Sequence, residues 1–179
     1  MAFDAHQSRA MRKPPSLRAA LVAALDAKHR YSERPADLHM VMQDATPVAD
    51  GRPGMAYVWH YTLAIGFLDF TGSPDEIAVP ILTWLQRWQH DAFATADKLK
   101  NAFSMDVEFM ADDIVDVMVR LKLTEVVTLV PRPGGGADLT RPDEPMPFAL
   151  IEGVPLHAVY LDDQLILHCD AHPDAGLDG

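Results

Sequence analysis

The stretch "HYTLAIGFLDFTGSPDEIAVPILTWLQRWQHD", residues 60–91, decides the fold. Its first half belongs to a strand running from about Tyr57 to Phe67. Tyr57, Trp59, Tyr61, Leu63, Ile65 and Phe67 alternate with the smaller Val58, His60, Thr62, Ala64 and Gly66. A period of two sets the large residues against a helix layer or core and the small ones against a tighter contact. "TGSPDE" then ends the strand and opens a helix. Ser73 is the expected N-cap, with Pro74 at the first helical position and Glu76 at the third, a capping box. Asp75 and Glu76 also favour the positive end of the helix. Ile77, Ile81, Leu82, Trp84, Leu85 and Trp88 make the apolar face. Pro80 predicts a kink near the first turns, at a local cost of roughly 3 kcal/mol. The helix is expected to end near His90–Asp91. Nothing in the unit resembles a nucleophile, a metal-ligand set or a phosphate loop.

On the N-terminal side, residues 1–13 are polar and irregular and read as a flexible arm. "KPPS" follows, and Ser16 is the expected N-cap of "LRAALVAALDAKH". Leu17, Leu21, Ala24, Leu25 and Lys28 share one face at helical spacing. "DLHMVMQDATPV" (37–48) can be a strand with Leu38, Met40 and Met42 on one side, and "DGRPG" (50–54) breaks the chain. On the C-terminal side, "FSMDVEFMADDIVDVMVRLKLTEVVTLV" (103–130) reads as a hairpin turning at "ADD". Met105, Val107 and Phe109 alternate with Asp106 and Glu108. Val115, Val117, Val119, Leu121 and Leu123 then oppose Asp116, Arg120, Lys122 and Thr124, which gives a long strand with one wet face. Residues 131–147 hold five prolines and three consecutive glycines and read as a linker. "VYLDDQLIL" (159–167) reads as two short strands turning at Asp162–Asp163.

These elements predict an α/β (α+β) fold, a mostly antiparallel sheet packed with two main helices. The expected organisation is an arm (1–13), a core domain (14–130), the linker (131–147), a C-terminal β-hairpin (148–169) and a tail (170–179).

The chain has 179 residues, 49% hydrophobic and 23% charged, enough for one domain with a proper core. Its formal net charge of -11 argues against a non-specific DNA clamp, which neutralises phosphates with Lys and Arg. A like-charged surface would instead let DNA slide past. One cysteine, Cys169, rules out an internal disulfide and suggests assembly inside a cell. The N-terminus lacks the apolar core of a signal peptide, and no run of apolar residues is long enough to span a membrane.

Candidate chemistry is thin. "HCDAH" (168–172) gathers two His, a Cys and an Asp, but a zinc site needs further ligands at defined spacing and none stands out. A solvated tail is the plainer reading. "PGGGAD" lacks the Gly-Lys-Ser/Thr of a phosphate loop. Asp106, Glu108, Asp112, Asp113 and Asp116 could hold a divalent ion, even for a metal-dependent hydrolase, or simply form the wet face of a hairpin. Trp84 and Trp88 read as core anchors. Trp59 and Tyr61 face either the core or a partner subunit. Arg132 and Pro133, heading the Pro/Gly stretch, are further partner-interface candidates. No catalytic residue, metal or cofactor is assigned.

Three pieces in order, "KPPSLRAAL" (13–21), "LDFTGSPDEIAVPILTWLQRWQHD" (68–91) and "YLDDQLIL" (160–167), resemble the bacteriophage tail completion protein R (GpR) family of contractile-tailed temperate phages. The resemblance runs from about Lys13 to Leu167. It implies a structural virion protein rather than an enzyme, assembled in the host bacterial cytoplasm and placed at the head-proximal end of the tail. By element order the fold is similar to the tail-terminator proteins that form six-fold rings. The implied partners are further copies of the chain in a hexameric ring, the tail tube protein, and possible sheath and head–tail connector proteins. DNA enters only as the passing genome, with the five acids as candidates for an acidic lumen. The competing class is an assembly chaperone or adaptor absent from the mature particle.

Overall fold

The computed structural model describes residues 11–49, 56–111, 113–143, 158–161 and 163–168. Helix α1 (Lys13–His29) leads through a short 3-10 turn into strand β1 (Leu38–Ala49). Strand β2 (Tyr57–Phe70) and helix α2 (Pro74–Trp88) follow, then a second 3-10 turn and the short helix α3 (Ala96–Ala102). Strands β3 (Phe103–Ala111), β4 (Ile114–Pro131) and β5 (Ala137–Thr140) come next, and β6 (Ala158–Leu161) and β7 (Gln164–His168) close the described chain. The main sheet has the order β1-β2-β4-β3, with β5 paired to the far end of β4. Every pairing in it is antiparallel. The expected α+β architecture is therefore the one observed.

Register explains the core. Tyr61, Leu63, Ile65 and Phe67 on β2 stand opposite Leu123, Leu121, Val119 and Val117 on β4. These rows are buried and face Leu17, Leu21 and Leu25 of α1 and Ile77, Ile81, Trp84 and Leu85 of α2. Each fully buried side chain of this size contributes about 1.5–3 kcal/mol. The alternation breaks at the end of β2. A bulge between Phe67 and Phe70, with Asp69 at φ 49°, lets both phenylalanines point inward and leaves Leu68 exposed. The strand thus runs three residues past its expected end at Phe67.

The capping box at α2 forms as expected. Ser73 Oγ accepts the Asp75 N–H at 3.2 Å, and the Ser73 N–H donates to Glu76 Oε1 at 3.2 Å. Pro80 lies buried within α2, which runs unbroken around it. The helix closes at Trp88, slightly before the expected His90–Asp91.

Two expectations are corrected. Helix α1 starts at Lys13, not after Ser16. Pro14 and Pro15 have no N–H to satisfy, and the remaining first-turn donors, the N–H groups of Arg12 and Lys13, reach Glu125 of β4 at 2.7 and 3.3 Å. Ser16 instead accepts the Trp84 Nε1–H at 3.1 Å. The second correction concerns 131–147. Its first part is a hairpin: Gly134, Gly135 and Gly136 take φ of 89°, 101° and 87°, and Leu129 pairs with Leu139 and Pro131 with Ala137. Glycine enters that region without steric cost, so the residues that suggested a linker reverse the strand. Residues 144–147 lie outside the described residues.

Helix α3 was not anticipated. Thr95 caps it, accepting the Lys98 N–H at 3.1 Å.

Candidate assembly interface

The helices cover one face of the sheet. The other face carries His39 from β1, Thr62 and Gly66 from β2, Arg120 and Lys122 from β4, and Asp106 and Glu108 from β3. A Cβ at Gly66 would collide with the His39 imidazole, so the glycine makes room for that ring. The acids on this face are partly committed. Asp106 forms an ion pair with Arg120. Asp116 Oδ1 accepts the Asp69 N–H at 2.9 Å, bracing the β2 bulge. Glu108 stands directly opposite Asp116, a like-charge pair that disfavours isolation in a dry environment. Asp113 is exposed in the β3–β4 turn, and Asp112 lies outside the described residues. The face is mixed in charge: Arg120 and Lys122 share its β4 row with Asp116.

The partner-interface candidates separate. Tyr61 is only 4% exposed and belongs to the core, so it is withdrawn as a contact for another subunit. It stands opposite Leu123, in the fully inward part of the register. Trp59 is half-buried beside that core, edge-on to Tyr57 at 6.0 Å. Arg132 donates from Nε to Asp138 at 2.7 Å across the glycine turn. That bond holds the Asp138 carboxyl below its ordinary range and raises the Arg132 guanidinium. Both side chains are exposed, as is Pro133.

The periodic pattern did not reveal where the exposed apolar residues collect. Phe109 is 79% and Met110 60% exposed beyond the end of the core, with Leu68 also exposed near the same end of the sheet. Val126, Val130 and Leu139 are exposed at the opposite end, and Val41, Met42 and Val48 along edge strand β1. Alternation marks a residue's face but not whether the core reaches it.

A polar knot joins both termini of the core. Glu125 is 4% exposed, caps α1, and ion-pairs with Arg141 Nε at 3.0 Å. Arg12 reaches the Arg141 carbonyl at 2.8 Å and Asp143 at 2.6 Å. Lys13 Nζ donates to Gln89 Oε1 at 2.9 Å, and Gln89 also receives the Thr124 N–H at 3.0 Å. Every partner here is a neighbour within the fold, so the knot reads as architecture. At the other end of α1, His29 stacks on Phe70 at 4.3 Å, and its Nε2 lies 4.0 Å from Glu76. Burial lowers its pKa first, then the Lys28 charge, against the opposing pull of Glu76. Glu76 also pairs with Lys28 Nζ at 3.0 Å.

Among the described residues no cluster of three or more His, Cys, Asp or Glu side chains is arranged to hold a metal ion. Residues 169–172 of "HCDAH" lie outside the described residues. Among the described residues no helix is long and apolar enough to cross a membrane.

Comparison with known proteins fits a chain whose conspicuous features are packing surfaces. Tail completion protein R of Escherichia phage P2 is 31% identical over 137 residues, which cover 76% of this chain and 86% of that protein. No solved structure matches the chain. The profile of the P2 phage tail completion protein R (GpR) family matches residues 11–145. The match opens at the α1 cap and closes just beyond Asp143, so "YLDDQLIL" falls outside it. The chain belongs to the P2 phage tail completion protein R (GpR) family.

Proposed function

We propose that this tail completion protein closes the head-proximal end of the tail tube as a six-membered ring and makes the tail competent to join a head. The observation that carries the reading is the family match over 11–145, which coincides with the folded core. The sheet supports the ring. Its two outer strands, β1 and β3, lie at opposite edges and are unlike in sequence. Unlike edges favour head-to-tail contacts, and head-to-tail contacts that close make rings. The tail tube protein is the first partner, with the sheath and head–tail connector beyond it. Exposed Phe109 and Met110 give an apolar contact for such a neighbour, and Trp59, Arg132 and Pro133 remain contact candidates.

The helix-free face is the proposed lumen. DNA crosses it without binding because Asp106, Glu108, Asp113 and Asp116 offset Arg120 and Lys122. Glu108→Lys with Asp113→Lys tests this, since Glu108→Lys also relieves the like-charge contact with Asp116 and should leave the fold intact. Impaired ejection or head joining supports the lumen, whereas fully infectious particles remove that assignment and leave the ring standing. For the function itself, a phage lacking this chain should accumulate unjoined heads and tails, rescued by adding the purified protein to tails. Rescue without the protein remaining on the particle would identify an assembly factor that departs.

A further inference from the structure

We infer that the groove between the β2–α2 turn and the β3–β4 hairpin receives an arginine or lysine side chain of another tail component. The inference deepens the apolar contact proposed above and rests on the tail reading. A cavity of about 340 Å³ lies there, lined by Thr71, Gly72, Phe109, Asp113 and Val115. Val115 is 7% exposed, and Phe109, its cross-strand partner in register, is 79% exposed. The groove thus joins a buried aliphatic side chain to an aromatic ring left open to solvent. Met110, 60% exposed, and Leu68 extend the apolar surface around it. A contiguous exposed apolar patch of this kind marks a contact site.

Charge decides what the groove accepts. No Lys or Arg occurs in residues 61–86 or 101–119, the segments that meet at this end of the sheet. Lys28, which reaches it from α1, is engaged by Glu76 at 3.0 Å. Asp69, Asp75, Glu108 and Asp113 are exposed and have no cationic partner among the described residues. The start of α2 does not attract an anion either, because its capping box already takes the Ser73 and Asp75 N–H groups.

An arginine or lysine side chain matches both halves of the groove. Its apolar stem lies along Phe109 and Val115 while its charged head meets Asp113. A cation over an aromatic face gains further attraction. A second copy of this chain fits less well. The Arg side chains around the β4–β5 hairpin, where Val130 and Leu139 are exposed, are committed: Arg132 to Asp138 and Arg12 to Asp143.

The probe is tails purified from a phage lacking this chain, and co-sedimentation measures how full-length chain binds them. Phe109→Ser should bind about tenfold more weakly or worse, with an unchanged circular dichroism spectrum. Phe109→Tyr keeps the aromatic face and should bind like the natural chain. Asp113→Asn should lose about threefold at low salt, and that loss should vanish by about 0.5 M salt, where exposed charge pairs are screened. Phe109→Ser that binds tails as tightly as the natural chain overturns the groove. Asp113→Asn with the salt response of the natural chain overturns the cation. A Phe109→Ser effect on self-association alone, with tail binding unchanged, makes a second copy the occupant and also overturns the proposal. If the natural chain itself does not bind tails, the tail reading fails.

Discussion

The two long helices start in opposite ways. Helix α2 is capped from within: Ser73 and Glu76 satisfy its first turn across three positions of sequence. Helix α1 is capped from outside: Glu125, on β4 and more than a hundred positions away, receives the Arg12 and Lys13 N–H groups. The difference separates a helix start specified locally from one that depends on tertiary contacts. The α2 start is specified by a local pattern and needs no sheet. The α1 start needs β4 in place, and through Arg141 it also holds the end of the β5 hairpin. The α1 start is therefore tied to contacts that only the assembled sheet supplies.

The largest effect should come from Glu125→Ala. It removes the buried carboxylate that Arg141 and the α1 donors share, and removing one partner of a buried pair costs about 3–5 kcal/mol. Urea unfolding measures this, and a loss under about 1 kcal/mol, a quarter of that cost, would mean α1 does not depend on β4. Ser73→Ala should cost about 1 kcal/mol, the ordinary worth of an N-cap, because the α2 start is local. Ser16→Ala sharpens the contrast. It should lose only the hydrogen bond from Trp84, about 0.5–1.5 kcal/mol, and leave the helicity of the α1 peptide region unchanged by hydrogen exchange. Early fraying of α1 in that variant would restore Ser16 as its cap.

The last prediction concerns pH. Burial holds the His29 pKa below its ordinary value of about 6.5. Between those two values the unfolded chain binds the proton and the folded chain does not. The stabilisation is therefore full above about pH 6.5 and declines as pH falls toward the folded value. Unfolding midpoints across pH 8 to pH 5, spanning that ordinary value of about 6.5, should fall more steeply for the natural chain than for His29→Phe. Parallel curves would show that His29 does not titrate against the fold.

The same contrast explains what the sequence disclosed. Alternation in β2 and β4, the "TGSPDE" cap and the apolar spacing of α2 are local patterns, and they led to the α+β core. The bulge at Asp69 escaped because a positive φ at a non-glycine residue leaves no period to read. The 131–140 hairpin escaped because glycine serves both flexible linkers and tight reversals, and the pairing of Leu139 with Leu129 decides between them. Helix α3 spans only Ala96–Ala102, too short for a hydrophobic period, although Thr95 was a readable cap. Of the proposed lumen, Asp106 and Glu108 on β3 and Asp116 on β4 could each be placed on the wet face of its own strand from spacing alone. Their pairing with Arg120 and Asp69 could not, because it depends on register and on the bulge. Tyr61 was ambiguous for a related reason: alternation gave its face, and only the helix layer showed that face to be closed.

The ring is the claim on which the functional account depends. Cryo-electron microscopy of purified tails, with this chain identified by antibody or tag, tests it most directly. The account predicts one closed ring at the head-proximal end, of about six copies, each unlike edge of one subunit meeting the next. Density for a single copy, or the chain found along the tail shaft and absent from that end, would contradict it.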